Sequence, residues 1–171
     1  RSFGYQEDSR IGEILKERDK KKDLAQIFNC KEDQIAFNMS EFDPNKTVVF
    51  YGDFIGKDRP DITSLGNLEI IGGISDFEDS QVRDLGNLIR IGGNAIFSNS
   101  QITSLKNLEE IGGYANFKNS QVTDLGNLRR IGGRADFYHS QITSLKNLEE
   151  IGGYADFKNS QVTDLGNLRR I

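Results

Sequence analysis

The chain has 171 residues, with 26 acidic and 22 basic side chains and a formal net charge of −4, which suits one domain or one solenoid with a terminal cap. Residues 1–60 carry 11 basic and 12 acidic groups and residues 61–171 carry 11 and 14. Neither part has the basic excess that phosphate-backbone binding needs, so nucleic acid is not an expected partner. No apolar run approaches the ~20 residues of a membrane span and there is no signal-peptide core, so no membrane partner is expected. The chain begins at Arg1 without Met, which allows for the removal of a leader or another domain upstream. A single cysteine, Cys30, rules out an internal disulfide framework and on that count alone points to a reducing compartment such as the cytoplasm.

From about Ser9 to Asn29 the apolar spacing predicts a helix. Ile11, Ile14 and Leu15 share one face, and Leu24, Ala25, Ile27 and Phe28 form a second apolar group. The charged span Lys16 to Asp23 between them predicts either a break or an exposed bridge, and Asp8 or Ser9 suits the N-cap. Acidic Glu17, Asp19 and Asp23 interrupt the field of Lys20, Lys21 and Lys22, which predicts a solvated helix face rather than a nucleic-acid or membrane patch. Two short glycosylation matches, Asn38-Met39-Ser40 and Asn45-Lys46-Thr47, are of a kind that arises by chance. Val48 to Tyr51 is a strand candidate and Gly52 to Pro60 a loop. Residues 1–60 together are expected to cap residues 61–171, since a terminal coil otherwise exposes its apolar core and a strand edge.

Residues 61–171 repeat. Gln101 to Ile131 returns as Gln141 to Ile171 with one change, Asn116 to Asp156, and the underlying unit is 20 residues long. A fixed period of this size predicts a solenoid. Three apolar columns run through it: Phe77 to Phe157, Val82 to Val162, and Leu65 to Leu165, with the Leu68 and Ile71 columns at the same interval. The small column Ser75, Ala95, Ala115, Ala135 and Ala155 lies two residues before each Phe, the spacing of one strand face. Leu105, Leu108 and Ile111 are spaced as one side of a short helix or 3₁₀ turn, with Ser104 or Asp124 in the N-cap place. The Gly112-Gly113 pair is expected to end that turn in the left-handed conformation, as a corner rather than a phosphate loop.

The unvarying Asn67 to Asn167 column is expected to bond backbone groups at the turn or its neighbour one coil away, and the Ser80 to Ser160 column to form a buried hydroxyl ladder. Glu109-Glu110, Arg129-Arg130, Glu149-Glu150 and Arg169-Arg170 alternate in sign, which sets opposite charges together in one register and like charges in a slipped one. Ala115-x-Phe117-x-x-Ser120-x-Val122 follows the strand motif Leu-x-Leu-x-x-Asn-x-Leu, and Leu-x-x-Leu-x-x-Ile follows it as a convex segment. On these residues the repeats resemble the leucine-rich repeat family, with Ala and Phe in place of the strand leucines and Ser in place of Asn. The unit is short for that family, and its likeness extends to the β-helical receptor L domains. The resemblance implies an α/β repeat solenoid: one parallel β-sheet, short helical or 3₁₀ turns, an N-terminal helical cap, and a binding surface on the strand face.

The variable outward columns of the strand face carry the candidate site. Tyr114, Arg134, Asp136, Tyr138, Tyr154 and Asp156 cluster in the last coils, and Tyr and Arg are enriched at interface hot spots. Catalysis has little support. His139 occupies an Asn and Asp column, Cys30 lies far from it, and Asp136 and Asp156 form a carboxylate pair without a pocket. No cofactor or metal is therefore expected. The composition and repeats fit a non-enzymatic scaffold that recognises a protein partner. The alternative is a recognition or spacer module of a larger protein whose catalytic domain lies elsewhere. A structural element stacking end to end is a third reading; ice binding is a poor fourth because Arg83 interrupts the Thr column. The coil at 161–171 looks uncapped, which predicts self-association through the C-terminal end.

Overall fold

The computed structural model describes residues 3–171. Arg1 and Ser2 lie outside the described residues. The chain is a parallel β-solenoid built from two-residue strands. One sheet has seven strands in the order β1 (Ile35–Ala36), β2 (Val49–Phe50), β4 (Ile70–Ile71), β6 (Arg90–Ile91), β8 (Glu110–Ile111), β10 (Arg130–Ile131) and β12 (Glu150–Ile151). The other has six, running from β3 (Phe54–Ile55) through β5 (Ser75–Asp76), β7 (Ala95–Ile96), β9 (Ala115–Asn116) and β11 (Ala135–Asp136) to β13 (Ala155–Asp156). Every pairing is parallel, and from β4 onward each residue faces the one 20 positions away, for example Ala115 against Ala135 and Ile111 against Ile131.

The repeat period and apolar columns therefore stand where the sequence puts them. Two elements differ. There are two sheets rather than one, and the Leu105 to Ile111 segment is not a helical turn. Its middle is a four-residue turn closed by the Leu108 N–H donating to the Leu105 carbonyl at 3.0 Å. Lys106 lies at φ 47° in that turn, a conformation no right-handed helix accommodates. Beyond it Glu110 and Ile111 extend and pair with the coils on either side. Ser104 and Asp124 do hold backbone amides as expected of capping residues. They accept from the N–H two positions on, in Lys106 at 3.2 Å and Gly126 at 2.8 Å, so they close turns rather than cap helices. The two 3₁₀ turns lie outside the regular repeat, at Glu32–Gln34 and Gly56–Asp58.

The Gly-Gly pair also has a different reason from the one expected. Neither Gly112 nor Gly113 has a positive φ. A Cβ on Gly112 would stand 2.3 Å from the Gly92 carbonyl oxygen of the coil before, so the position requires close backbone approach. The left-handed conformation falls elsewhere, at Gly66, Gly86, Lys106, Gly126, Lys146 and Gly166, and in the Asp79, Asn99, Asn119, His139 and Asn159 column. Asn, Asp and His tolerate that conformation better than most residues, which accounts for His139 as a corner residue.

A continuous Phe column runs through the main core cluster. Phe50, Phe54, Phe77, Phe97, Phe117 and Phe137 have no exposed surface. From Phe77 to Phe157 successive ring centroids are 5.6, 5.2, 5.3 and 5.0 Å apart and the rings are nearly parallel. Identical side chains on strands ~4.8 Å apart stack of necessity. Phe54 pairs in register with Ser75 and its tilted ring packs on Phe77 at 5.9 Å, so the six-stranded sheet begins within the Gly52 to Pro60 stretch expected to be a loop, and the seven-stranded sheet begins earlier still, at Ile35. The Ser column is buried as expected, but the Oγ atoms of Ser100, Ser120 and Ser140 have no hydrogen-bond partner, nor does that of Ser75. The three of these in the Ser column, locked one per coil, do not approach one another closely enough to form the expected ladder, and Ser75 lies in the small column instead.

Helix α1 (Phe3–Ile27) is unbroken through Lys16 to Asp23, so the charged span is an exposed bridge. It starts six residues before Ser9, which leaves Asp8 and Ser9 inside the helix rather than at its cap. Its C-terminal part reaches the solenoid. Leu24 and Ala25 cover Ile35 and Val49, while Ile11, Ile14 and Leu15 are exposed. Lys20 and Lys21 lie over the rings of Tyr51 and Phe37 at 4.5 and 5.2 Å, and Lys21 pairs with Glu41 at 2.9 Å. Desolvation pushes the Glu41 carboxyl upward, but the bonds from Lys21, the Phe37 N–H and Asn38 outweigh it and hold the group below the ordinary glutamate range.

Candidate functional site

The outer face of the six-stranded sheet collects the residues singled out from the sequence. In each coil a strand alternates inward and outward, so that Ala135 and Phe137 are buried while Arg134, Asp136 and Tyr138 point away from the core. One coil on, Tyr154 and Asp156 take the places of Arg134 and Asp136.

Three of the six make one unit. The Arg134 guanidinium lies 4.3 Å from the centre of the Tyr114 ring and 5.7 Å from that of Tyr154, and Arg134 Nη1 donates to the Tyr154 hydroxyl at 2.7 Å. The column is thus a stack along the solenoid, with Arg134 between the two tyrosines and Tyr154 exposed at its end. Burial first, then the Asp136 charge, raises the Tyr114 phenol above its usual range. Tyr138 stands apart, at the far end of the strand, with Lys118 Nζ 5.4 Å over its ring and the His139 ring against its edge.

Asp136 and Asp156 have a local duty that their place among the outward columns does not reveal. Each Oδ1 accepts the N–H two residues on, from Tyr138 and Lys158, at 2.9 Å. Asp76 and Asn116 do the same for Glu78 and Lys118, so the column is a series of turn-closing side chains, with Ile96 the exception. The signal is nevertheless in the sequence: Asp and Asn two residues before a corner are characteristic of such turns.

Charges are distributed unevenly between the two sheets. On the seven-stranded side Arg130 meets Glu110 at 3.1 Å and Glu150 at 3.6 Å, and Arg129 meets Glu149 at 3.3 Å, as the alternation of sign predicts. Among the described residues none of the nine ion pairs involves a charged side chain of the six-stranded face. Glu78, Lys118, Asp136, Asp156 and Lys158 there are without salt-bridge partners among the described residues.

The third side of the coil alternates. Coils with Ser64, Ser104 and Ser144 are termed serine coils here, and those with Asp84, Asp124 and Asp164 aspartate coils. From serine coil to aspartate coil the junction is backbone with a hydroxyl beside it: Ser104 bridges Asp124, the Leu105 N–H donates to the Asp124 carbonyl at 3.0 Å, and the Ser64 and Ser144 hydroxyls donate to Asp84 and Asp164 at 3.3 and 2.7 Å. From aspartate coil to serine coil it is side chain: Lys106 Nζ meets Asp84 at 2.6 Å and Lys146 Nζ meets Asp124 at 2.6 Å. At the same junctions Asn107 and Asn147 donate to the Gly86 and Gly126 carbonyls, at 3.4 and 3.0 Å. The expected Asn-to-backbone bond therefore forms in serine coils, whereas Asn127 and Asn167 use their backbone N–H groups instead.

The depressions between coils are shallow. One of about 370 Å³ runs over Asn127, Arg129 and Asn147 on the paired-charge side. Another, about 740 Å³, lies at the foot of α1 beside Cys30. Burial, with help from Glu69, raises the Cys30 thiol above its ordinary value, which keeps it protonated and a poor nucleophile. Among the described residues no three His, Cys, Asp or Glu side chains converge as metal ligands, and no helix is long and apolar enough to cross a membrane. No family model matches the chain, and comparisons with curated proteins and with solved structures found no match.

Proposed function

We propose that this protein is a non-enzymatic repeat scaffold that recognises a protein partner through the outer face of its six-stranded sheet, at Tyr114, Arg134, Asp136, Tyr138, Tyr154 and Asp156. The observation that carries this reading is the uneven use of charge. One face carries ion pairs between coils, and the other has no salt bridge among the described residues and presents an ordered Tyr–Arg–Tyr stack. Desolvating an already bonded stack costs less ordering entropy than fixing free side chains. The resemblance to leucine-rich repeats favours the same strand face.

The test compares three immobilised proteins in an extract of the source cells: wild type, the variant Tyr114→Ala, Arg134→Ala, Tyr138→Ala and Tyr154→Ala, and a control with Glu109→Ala, Arg129→Ala and Glu149→Ala on the other sheet. Circular dichroism first establishes that all three are folded. Proteins captured by wild type and by the control should be lost from the face variant. Retention of the same set by the face variant would sink the proposal.

A further inference from the structure

The first coils of the six-stranded sheet present a different surface from the Tyr–Arg–Tyr stack. In the regular coils Asp76, Asn116, Asp136 and Asp156 each accept the N–H two residues on, at 2.9 Å. Ile96 stands in the same column with no acceptor to offer, so the Ser98 N–H goes without that bond. The exchange gains nothing locally, because Ile96 points outward between Asp76 and Asn116 and is no member of the core cluster. Ile74, 38% exposed, is its diagonal neighbour, and Ile55 lies on the other side of Asp76 in the column. Singly exposed apolar residues are ordinary. Three adjoining ones on a bonded sheet have the composition of an interface centre.

Around this patch the charge is one-sided. Asp53, Asp58, Asp76, Glu78 and Asp79 lie in or beside β3 and β5, with Lys57 among them and Arg59 taken by Asp61 at 2.8 Å. Among the described residues none of these five carboxylates is in an ion pair. Asp53 accepts the Ile74 N–H at 2.9 Å and Glu78 the Asn99 amide at 3.2 Å. Cations return on the same face at Lys118, two coils and so ~10 Å beyond β5, and then at Arg134, with Asp136 beside it. Along the solenoid the face thus runs from an acidic end, through the isoleucines, to a cationic and aromatic end.

We propose that Ile55, Ile74 and Ile96 are the apolar centre of the binding face, and that they receive a protein segment with an aliphatic or aromatic anchor flanked by lysine or arginine. This depends on the six-stranded face being the binding side, and adds the chemistry of the partner and its direction. The anchor covers Ile74 and Ile96, and its cationic neighbours meet Asp53 and Glu78. A segment turned end for end sets its cations against Lys118 and Arg134. Desolvated apolar anchors supply most of the affinity, while rim charges govern encounter and the choice of partner.

The test immobilises the full chain and selects random peptides displayed on phage. Wild type is compared with Ile96→Asn, with Glu78→Lys, and with the variant in which Tyr114, Arg134, Tyr138 and Tyr154 are all Ala. Ile96→Asn restores the acceptor found elsewhere in the column, so its urea midpoint should equal or exceed that of wild type. Peptides enriched on wild type should join an apolar residue to Lys or Arg and bind Ile96→Asn about tenfold more weakly. Their binding to Glu78→Lys should be weaker and less sensitive to salt. A lowered urea midpoint for Ile96→Asn would make Ile96 a structural residue and overturn the proposal. Enrichment of acidic peptides, or no preference for wild type over Ile96→Asn, would do the same. Peptides kept by Ile96→Asn but lost from the four-residue variant would remove the isoleucines and leave the face as the binding side; peptides kept by both would remove the face as well.

Discussion

Phe117→Ala tests the Phe column where the structure makes it most demanding. The ring has no exposed surface and lies between Phe97 and Phe137, with centroids 5.2 and 5.3 Å away and interplanar angles of 2° and 11°. Truncating a buried Phe to Ala typically costs about 3–5 kcal/mol, because the neighbours close the cavity only in part. A stacked aromatic pair adds ~0.5–1.5 kcal/mol beyond area burial, and two such pairs are lost here. Neighbouring coils are fixed by both sheets, so little collapse can recover the contact. The expected loss is thus at the upper end, about 5 kcal/mol, a large part of the ~5–15 kcal/mol stability of a typical domain. Phe157 has one stacked neighbour, at 5.0 Å, and is partly exposed, so Phe157→Ala should cost about 2 kcal/mol. Urea melts followed by far-ultraviolet circular dichroism give both values, with Lys118→Ala as an exposed control expected to change stability by less than ~0.5 kcal/mol. If Phe117→Ala is no worse than Phe157→Ala, the column is not a continuous spine and the reasoning fails.

Ser120→Ala should be neutral or stabilising by about 1 kcal/mol, since it removes a buried hydroxyl without a partner; a clear loss in the same melts would show that the hydroxyl is bonded. Gly112→Ala should destabilise by more than ~1 kcal/mol although its φ is not left-handed, because the new methyl meets the Gly92 carbonyl. A melt unchanged from wild type would mean that the coils separate freely. The last expectation concerns pH and the docking of α1. Glu41 binds its proton less readily folded than unfolded, so its ionised form stabilises the fold above the ordinary glutamate pKa, and that contribution is lost as pH falls through the lower folded value. Asp84 and Asp124, lowered chiefly by the Lys106 and Lys146 bonds, add stability of the same sign. Acid titration of wild type against Lys21→Ala, with proteolysis of α1 as readout, should show the variant helix released already at neutral pH and the wild-type helix only in acid; identical profiles would remove Glu41–Lys21 from the docking contact.

Much of the fold is legible in the sequence because a repeat exposes its own constraints. A position that stays Phe at 77, 97, 117, 137 and 157 while its neighbours change must be inside, and the 20-residue spacing itself dictates the parallel register. The sign alternation of Glu110, Arg130 and Glu150 foretells the ion pairs for the same reason. Polar positions that hold local backbone are half legible: Ser104 and Asp124 are recognisable as amide-binding, yet their spacing assigns them to a helix. Three-residue apolar spacing cannot distinguish a helical turn from a tight turn followed by a strand.

The period, the inward columns and the charges that meet one coil apart need nothing beyond the sequence, since they follow from side-chain chemistry repeated at one interval. Matters of distance between backbones belong to the tertiary structure. It placed a second sheet at Glu110–Ile111, where an extended segment finds partners on both sides. It gave Gly112 its reason in the Gly92 carbonyl of the neighbouring coil rather than in its own dihedral angles. It left the Ser120 hydroxyl without a partner because the repeat spacing holds like groups out of hydrogen-bond reach. It also turned Tyr114, Arg134 and Tyr154 from three exposed candidates into one bonded stack, because only parallel stacking brings side chains 20 residues apart into contact.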